Sequence, residues 1–350
     1  MMRQRKILQN VEGYVPGEQP KFPNIVKLNT NENPYPPSPK VVEAVRRLNE
    51  NAIRKYPDTV SLELRSALAA HYGYPGPEWV VVSNGMDELL AMAMRAFTDP
   101  NDKILSCYPT YILYEKLALL HGARPVLIDL DDDFLLTEQF FETAARLCFL
   151  PRPNSPSGVA VPQQDVDRFC RVFDGLVVID EAYVDFSDDS CIDFAKKFDN
   201  AIVMRTMSKS FSMAGMRVGF GFAQPDLVAE LMKVKDSYNM SAASQAAGLA
   251  ALDDKDWMEA NIAKVRATRA RLTDELIRLG FAVPPSRSNF VLAQWNGTPN
   301  ARNIFESLRE RAIVVRYFNA WRLENALRIT VGTDSEIDTL LAALREILNK

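Results

Sequence analysis

The segment Arg205-Thr-Met-Ser-Lys-Ser-Phe-Ser-Met-Ala-Gly-Met-Arg-Val-Gly-Phe220 holds one lysine, Lys209, between two serines and close to apolar side chains. The apolar run just before it predicts a buried strand. A lysine removed from water loses its proton more readily, and the neutral amine can form a Schiff base. Arg217 could be a neighbouring cation or could hold a phosphate. The alternative is a strand and turn whose lysine reaches solvent, since single lysines are common on protein surfaces.

A second segment, Leu176-Val-Val-Ile-Asp-Glu-Ala-Tyr183, predicts a buried strand that ends in carboxylates. Open parallel sheets bind ligands at the carboxyl ends of their strands, and a carboxylate buried there needs a partner. Pyridoxal phosphate needs a lysine for its aldehyde and an acid for its pyridine nitrogen. Asp180 and Lys209 on neighbouring strand ends therefore predict a site for this cofactor. The alternative for Asp180 alone is the N-cap of the next helix.

These two segments belong to a series of motifs that extends over nearly the whole chain. In chain order the motifs are Leu28-Asn-Thr-Asn-Glu-Asn-Pro34, Tyr56-Pro57, Asn84-Gly-Met-Asp-Glu88, Tyr108-Pro-Thr-Tyr111, Pro153-Asn-Ser-Pro-Ser-Gly158, Asp180-Glu-Ala-Tyr183, Ser208-Lys209 through Arg217, and Leu327-Arg-Ile-Thr-Val-Gly332. With these motifs in this order, the chain resembles the fold-type I, pyridoxal-phosphate-dependent aminotransferases, and within them the histidinol-phosphate aminotransferases.

The resemblance implies a role for each matched residue. Lys209 would hold the cofactor and move the substrate proton, Asp180 would keep the ring nitrogen protonated, and Tyr183 would donate to the ring oxygen. The cofactor-binding residues that it implies are Gly85, Met86, Asp87, Tyr111, Asn154, Asp180, Tyr183, Thr206, Ser208, Lys209 and Arg217, with Tyr56 reaching the cofactor phosphate of a neighbouring subunit. Tyr111 would stack on the ring. Tyr114 is instead interpreted as a core residue.

The turn at Gly85 indicates an anion site from its local pattern alone, independently of the resemblance. A strand, a glycine turn and a helix start place free N–H groups and the helix dipole at one point. The alternative, that Asp87 and Glu88 are simply favourable first-turn carboxylates, is compatible with this role.

One motif departs from the family pattern. The family usually carries Asn-Asn-Pro-Thr-Gly where this chain has Asn154-Ser-Pro-Ser-Gly158, and the second asparagine of that pattern binds the ring oxygen. Either Asn154 takes over that contact or the contact is weaker. We predict that Asn154 takes it over.

The substrate-binding residues that the resemblance implies are Tyr14, Asn33, Arg316 and Arg328. Arg328 matches the arginine that pairs with the substrate α-carboxylate, in a fork suited to two hydrogen bonds. Arg316 matches the arginine that meets the substrate phosphate. The alternative for each arginine is a surface charge on an edge strand.

The implied activity is transamination between histidinol phosphate and 2-oxoglutarate in histidine biosynthesis, by a homodimer. An aromatic amino acid aminotransferase or a threonine-phosphate decarboxylase of the same fold is an alternative. A non-catalytic α/β binding protein is an alternative of another class, against which Lys209, Asp180 and Arg328 together argue.

Composition bears on which partners, metal sites and cellular location to expect. The net charge of -4 gives no reason to expect nucleic acid or a membrane as a partner. Two histidines and four scattered cysteines, Cys107, Cys148, Cys170 and Cys191, predict no metal site. No apolar run is long enough for a signal or a membrane span, so a cytoplasmic location is expected.

Length and element order predict an α/β fold of two domains and an arm. Strands alternate with helices over 78–223, which predicts a mostly parallel central sheet with helices on both faces. A helical region and then three strands predict a smaller α+β domain. The expected divisions are an N-terminal arm at 1–36 near the active site, a large cofactor-binding domain at 37–245 and a small domain at 246–350.

Overall fold

The computed structural model describes residues 24–349, together with Arg5, Ile7, Leu8, Gly13 and residues 17–19. The strands are β1 (Val26–Lys27), β2 (Val80–Asn84), β3 (Lys103–Tyr108), β4 (Arg124–Asp129), β5 (Leu147–Pro151), β6 (Leu176–Asp180), β7 (Ala201–Thr206), β8 (Val218–Phe222), β9 (Phe290–Gln294), β10 (Ile313–Val314), β11 (Arg316–Tyr317) and β12 (Ala326–Thr330). The helices are α1 (Pro39–Arg46), α2 (Glu50–Arg54), α3 (Leu62–His71), α4 (Met86–Phe97), α5 (Leu113–His121), α6 (Glu138–Glu142), α7 (Gln163–Val172), α8 (Phe194–Lys197), α9 (Pro225–Val234), α10 (Ala242–Leu252), α11 (Lys255–Arg278), α12 (Ala301–Glu310) and α13 (Asp334–Leu348).

The central sheet has the order β2-β8-β7-β6-β5-β3-β4. Its strands are parallel except β8, which is antiparallel to both neighbours. Strands β5 to β8 are buried along their whole length. Continuous burial is typical of a sheet covered on both faces, because each face then needs apolar side chains.

Helices cover both faces of this sheet. Alternate residues of one strand enter different cores: Val80 and Val82 pack in one cluster, and Val81 packs in another. Alternation of side chains across a strand produces this division. The predicted α/β architecture is confirmed.

The small domain contains the antiparallel sheet β11-β12-β9 and the helices α11, α12 and α13 around a separate core. Ala247 and Ala251 of α10 pack in the large core, whereas Ile262 and Val265 of α11 pack in the small one. The division at 245 stays a prediction. We propose that the domains divide between these helices, near residue 253.

The N-terminal arm is described from residue 24 onward. Strand β1 pairs in parallel with β10 of the small domain, and residues 28–33 then pass between the domains. Tyr14 lies outside the described residues. Among the residues that are described, no helix is both long and apolar enough to cross a membrane.

Candidate active site

A cavity of about 610 Å³ lies between the carboxyl ends of the central strands, the small domain and the arm. Sheets of this kind bind ligands at this edge because loops leave the strands there. The predicted site residues that line the cavity are Met86, Asp87, Tyr111, Asp180, Tyr183, Thr206, Ser208, Lys209, Arg217, Arg316 and Arg328. These residues come from five of the motifs quoted above, with Thr206 and Arg316 in addition.

Asp180 lies at the end of β6 and is 5% exposed. One carboxylate oxygen accepts from Ala182 N at 2.9 Å, and the other accepts from the Tyr114 hydroxyl. Burial raises the pKa of Asp180 to about 6, although both hydrogen bonds act in the opposite direction. A cationic group placed in the cavity next to this carboxylate would stabilise its charged form.

Lys209 lies on the turn that follows β7, and its amine reaches into the cavity. Its Nζ is 3.5 Å from the Thr30 carbonyl oxygen and 5.7 Å from the centre of the Tyr183 ring. Asn33 lies behind this turn: its amide donates to the carbonyl oxygens of Lys209, at 3.1 Å, and Ser210, at 3.3 Å. Asn33 is not among the cavity-lining residues, so its predicted role in substrate binding has no support here. Its amide holds the lysine turn instead.

The Gly85 turn has the geometry that the predicted anion site needs. Gly85 precedes α4 with φ of +82° and no side-chain cap, which leaves first-turn N–H groups of α4 free for a ligand. A Cβ at this glycine would lie 2.8 Å from Arg217 Cζ, so the arginine can approach only because the side chain is missing. The Thr206 and Ser208 hydroxyls lie 3.0 Å apart on the same side, and Arg217 Nη1 is 3.5 Å from Ser208 Oγ. Hydroxyls, amides and a guanidinium together suit a phosphate.

Two tyrosines face the cavity from different elements. The Tyr111 hydroxyl donates to Asp87 Oδ1 at 3.3 Å, and its ring meets Tyr114 edge to face at 5.6 Å between centroids. The Tyr183 hydroxyl accepts from Asn31 Nδ2 at 2.9 Å. Each tyrosine therefore has a polar partner that sets where its ring lies.

Asn154 does not take the position predicted for it. Its side chain is 1% exposed, donates to Pro109 O at 2.9 Å and accepts from Thr110 Oγ1 at 3.0 Å. These contacts use the amide inside the protein, so it does not line the cavity. Ser155 lines it instead and accepts from Arg328 Nη1 at 3.0 Å.

The two predicted substrate arginines face each other across β11 and β12, where Arg316 pairs with Arg328. Arg328 also donates to Asn29 O at 3.0 Å. The Phe318 ring lies 5.4 Å from Arg316 Cζ and 5.5 Å from Arg328 Cζ. Two guanidiniums beside one ring make an anion-binding wall with an apolar patch.

Tyr56 lies away from this cavity. It is 79% exposed and stacks on Tyr238, with ring centroids 4.1 Å apart. The resemblance assigns it to a neighbouring subunit's site, and this position agrees with a role outside its own cavity. No cluster of three or more metal-ligating side chains occurs in the described part of the chain.

Sequence reasoning missed several residues of the site. Tyr114 is a core residue as predicted, and its hydroxyl also donates to Asp180, a contact that the sequence could not show because the two residues are 66 positions apart. Asn31 and Ser155 lie in two of the motifs quoted above, but their contacts with Tyr183 and Arg328 could not be predicted, because these partners are distant in the chain.

The family model for aminotransferase class I and II matches residues 23–344. This chain belongs to the class I and II aminotransferases. Histidinol-phosphate aminotransferase of Geotalea daltonii is 41% identical over 99% of this chain and 100% of its own length. That of Microcystis aeruginosa is 42% identical over 99% of both.

Solved structures agree with this membership. The crystal structure of histidinol-phosphate aminotransferase from Sinorhizobium meliloti, in complex with pyridoxal 5'-phosphate, matches with a TM-score of 0.91. It is 27% identical and covers 100% of this chain and 98% of its own.

The cavity residues fit pyridoxal phosphate. Asp180 is a buried acid able to meet a protonated ring nitrogen, Lys209 supplies the amine, and the Gly85 turn with Arg217 supplies the phosphate site. Groups that suit the ring nitrogen, the aldehyde and the phosphate are therefore all present at this cavity.

Proposed function

We propose that this chain transfers the amino group of histidinol phosphate to 2-oxoglutarate, giving imidazole acetol phosphate and glutamate in histidine biosynthesis. The observation that carries the proposal is one cavity that joins Lys209 and Asp180 to the arginines Arg316 and Arg328. The names of the relatives at full-length coverage support the same substrate.

Each residue has a defined task. Pyridoxal phosphate, when bound, supplies an electron sink for the substrate carbanion. Lys209 Nζ would act first as general base, taking the proton from the substrate Cα, and then as general acid, giving that proton back in the next step. Asp180 holds the proton on the ring nitrogen, and Tyr183 donates to the ring oxygen. The Gly85 turn, Ser208 and Arg217 keep the phosphate end in place.

Both substrates carry anions that suit the two arginines. Histidinol phosphate has no carboxylate and must present its phosphate, whereas glutamate presents carboxylates in the other half-reaction. A guanidinium fork binds either anion. Arg328→Ala should therefore impair both half-reactions, and Arg316→Ala should impair histidinol phosphate and glutamate more than phenylalanine.

The test is kcat/KM with histidinol phosphate, glutamate, phenylalanine and threonine phosphate. Losing a charge-assisted pair costs about 1.5–3 kcal/mol, or roughly one to two decades of kcat/KM. Arg302→Ala is the control, since Arg302 pairs with Glu306 on the outside of the same domain. If the wild type prefers phenylalanine, the aromatic aminotransferase alternative replaces this proposal. Equal losses for all substrates in Arg316→Ala would contradict a role in anion recognition.

The proposal includes a two-fold homodimer in the cytoplasm. Near Tyr56 the surface exposes Ile53, at 75%, and Leu62, at 52%, which a second copy would cover. A closed two-fold dimer is the commonest assembly of identical chains. The four cysteines are free and buried, as expected for a reducing compartment.

A further inference from the structure

A buried ion cluster of Glu181, Arg205 and Asp185 lies next to the active site without lining it. Arg205 donates to Glu181 Oε2 from Nε at 3.0 Å and from Nη2 at 2.8 Å, and its Nη1 is 3.3 Å from Asp185 Oδ1. The Arg205 side chain is 7% exposed and that of Glu181 is 0% exposed. Two carboxylates therefore share one guanidinium, the Glu181 carboxylate fully buried and the Asp185 side chain 21% exposed.

The cluster joins the two strands that carry the cofactor residues. Glu181 directly follows Asp180 at the end of β6, and Arg205 lies in β7 shortly before Lys209. The strands are paired in parallel at this level, and Glu181 N donates to Met204 O at 2.8 Å. The ion pair thus adds a side-chain link where the backbone ladder ends.

The cluster also reaches the lysine turn. The Ser210 hydroxyl donates to Asp185 Oδ2, and Ser210 is only 2% exposed. Asn33 holds the carbonyls of Lys209 and Ser210 from the arm. The main chain at Lys209 is consequently fixed from two directions.

Stability is a weak reason to keep such a cluster. Buried ion pairs often contribute little net stability, since desolvation offsets their attraction. Here the hydrogen bonds are well satisfied, because Glu181 also accepts from Ser190 Oγ, at 2.9 Å, and from Cys191 N. Burial alone would lower the pKa of Arg205, but attraction by Glu181, Tyr72 and Asp185 outweighs it, so this pKa is raised. Arg205 therefore keeps its charge in this cluster.

We propose that Glu181, Arg205 and Asp185 form a positioning unit that acts through the Ser210 hydroxyl to set the place of Lys209 relative to Asp180. This inference rests on the proposed function, because it uses the roles given there to Lys209 and Asp180. The three residues touch neither cofactor nor substrate, so their effect on turnover is indirect.

The test compares Ser210→Ala with Ser212→Ala in the cofactor-loaded enzyme. Both changes remove one hydroxyl from the same turn, but the Ser212 hydroxyl has no hydrogen-bond partner among the described residues. Visible circular dichroism of the bound cofactor reports its orientation and needs no substrate. We expect Ser210→Ala to change this signal and to lower kcat about tenfold to hundredfold, as misplacement of a reacting group does, with KM nearly constant. Ser212→Ala should match the wild type in both measurements.

Asp185→Asn gives a second, independent variant. If the Ser210 hydroxyl acts through Asp185, then the double variant Ser210→Ala/Asp185→Asn should be no worse than Asp185→Asn alone. If Ser210→Ala and Asp185→Asn lose thermal stability but keep the dichroism and kcat of the wild type, the proposal is overturned. The cluster would then have only a structural role. If the dichroism differs as expected but histidinol phosphate is not turned over, the positioning unit stands and the substrate assignment fails.

Discussion

At the scale of single residues, the chemistry depends on one amine and one buried acid held in the same cavity. In the proposed mechanism, Lys209 both binds the cofactor covalently and moves a proton. Lys209→Ala should abolish the visible absorbance of the covalently held cofactor and transamination together. Lys116→Ala, which changes another lysine at the edge of the same cavity, should keep both. Undiminished turnover in Lys209→Ala would exclude the assigned role.

Asp180 makes the cofactor-free protein's stability depend on pH. Its pKa is raised from 3.8 to about 6 by burial, so the unfolded chain loses this proton first as the pH rises. The folded state then binds more protons, and the free energy of unfolding falls between about pH 4 and pH 6. A shift of two units corresponds to about 3 kcal/mol. Asp180→Asn should therefore be more stable than the wild type above pH 6 by up to about 3 kcal/mol, with the gain vanishing near pH 4.

Urea denaturation of the cofactor-free proteins at several pH values measures this gain. Asp129→Asn is the control, because Asp129 lies exposed at the end of β4 in the same sheet and should change stability by less than about 0.5 kcal/mol. With cofactor bound, Asp180→Asn should have very little transaminase activity, because the ring nitrogen loses the carboxyl group that keeps it protonated. If the stability gain of Asp180→Asn does not change with pH, or if this variant turns over substrate like the wild type, Asp180 is a structural cap.

Sequence reasoning at this scale located residues well where their chemistry is rare for their position, although their roles stay predictions. A lone lysine among serines and an acid after four apolar residues are unusual, and the structure puts both in the cavity. It failed for Asn154 and Asn33, because an amide serves a ligand or the backbone equally well. Only the fold shows that Pro109 O and Lys209 O lie within reach of these amides.

At the scale of elements, the Gly85 turn shows how a missing side chain makes room for Arg217. Gly85→Ala should place Cβ against the guanidinium and weaken cofactor binding about tenfold to hundredfold, the loss expected for a charge-assisted contact. Gly73→Ala is the matched control. Gly73 has a similar φ of +69°, but a Cβ added there would have nothing within 4 Å. Gly73→Ala therefore introduces the same backbone strain as Gly85→Ala without a clash with a side chain.

Titration of the cofactor-free variants with pyridoxal phosphate measures the dissociation constants. Both variants should lose about 1 kcal/mol of stability, yet only Gly85→Ala should lose affinity. Equal affinity in the two would mean that Arg217 does not help to hold the phosphate.

Elements with local signals were predicted well, and those defined by distant partners were not. The start of α1 has such a local signal: Ser38 precedes Pro39, and its side chain accepts from Lys40 N. The run Ile313-Val-Val-Arg-Tyr317 has the pattern of one strand but forms two short ones: β10 pairs with β1, and β11 pairs with β12. Periodicity cannot show this division, because Val26, the partner of Ile313, is distant in the chain.

At the scale of the whole molecule, the proposed dimer can be tested by mixing two inactive variants. If Tyr56 reaches the neighbour's cofactor, Tyr56→Ala removes the residue that a subunit supplies to its neighbour's site. Lys209→Ala removes the residue that a subunit supplies to its own site. Subunit exchange should then restore about a quarter of the wild-type sites, since half the dimers are mixed and each has one intact site. Light scattering should report a dimer at micromolar concentration. A fully active monomer, or no recovery despite demonstrated exchange, would contradict the shared site.

The arm between the domains also has a consequence for how the protein is made. Asn31 N donates to Thr330 Oγ1 across 299 residues of sequence, and β1 has its partner in β10. On the ribosome, residues 24–33 emerge long before either partner exists. At about 5–20 residues per second, the wait is roughly 15–60 s. A nascent chain can thus complete its central sheet while Thr30 and Asn31 still lack their docking place, so catalytic competence is among the last properties that the growing chain acquires.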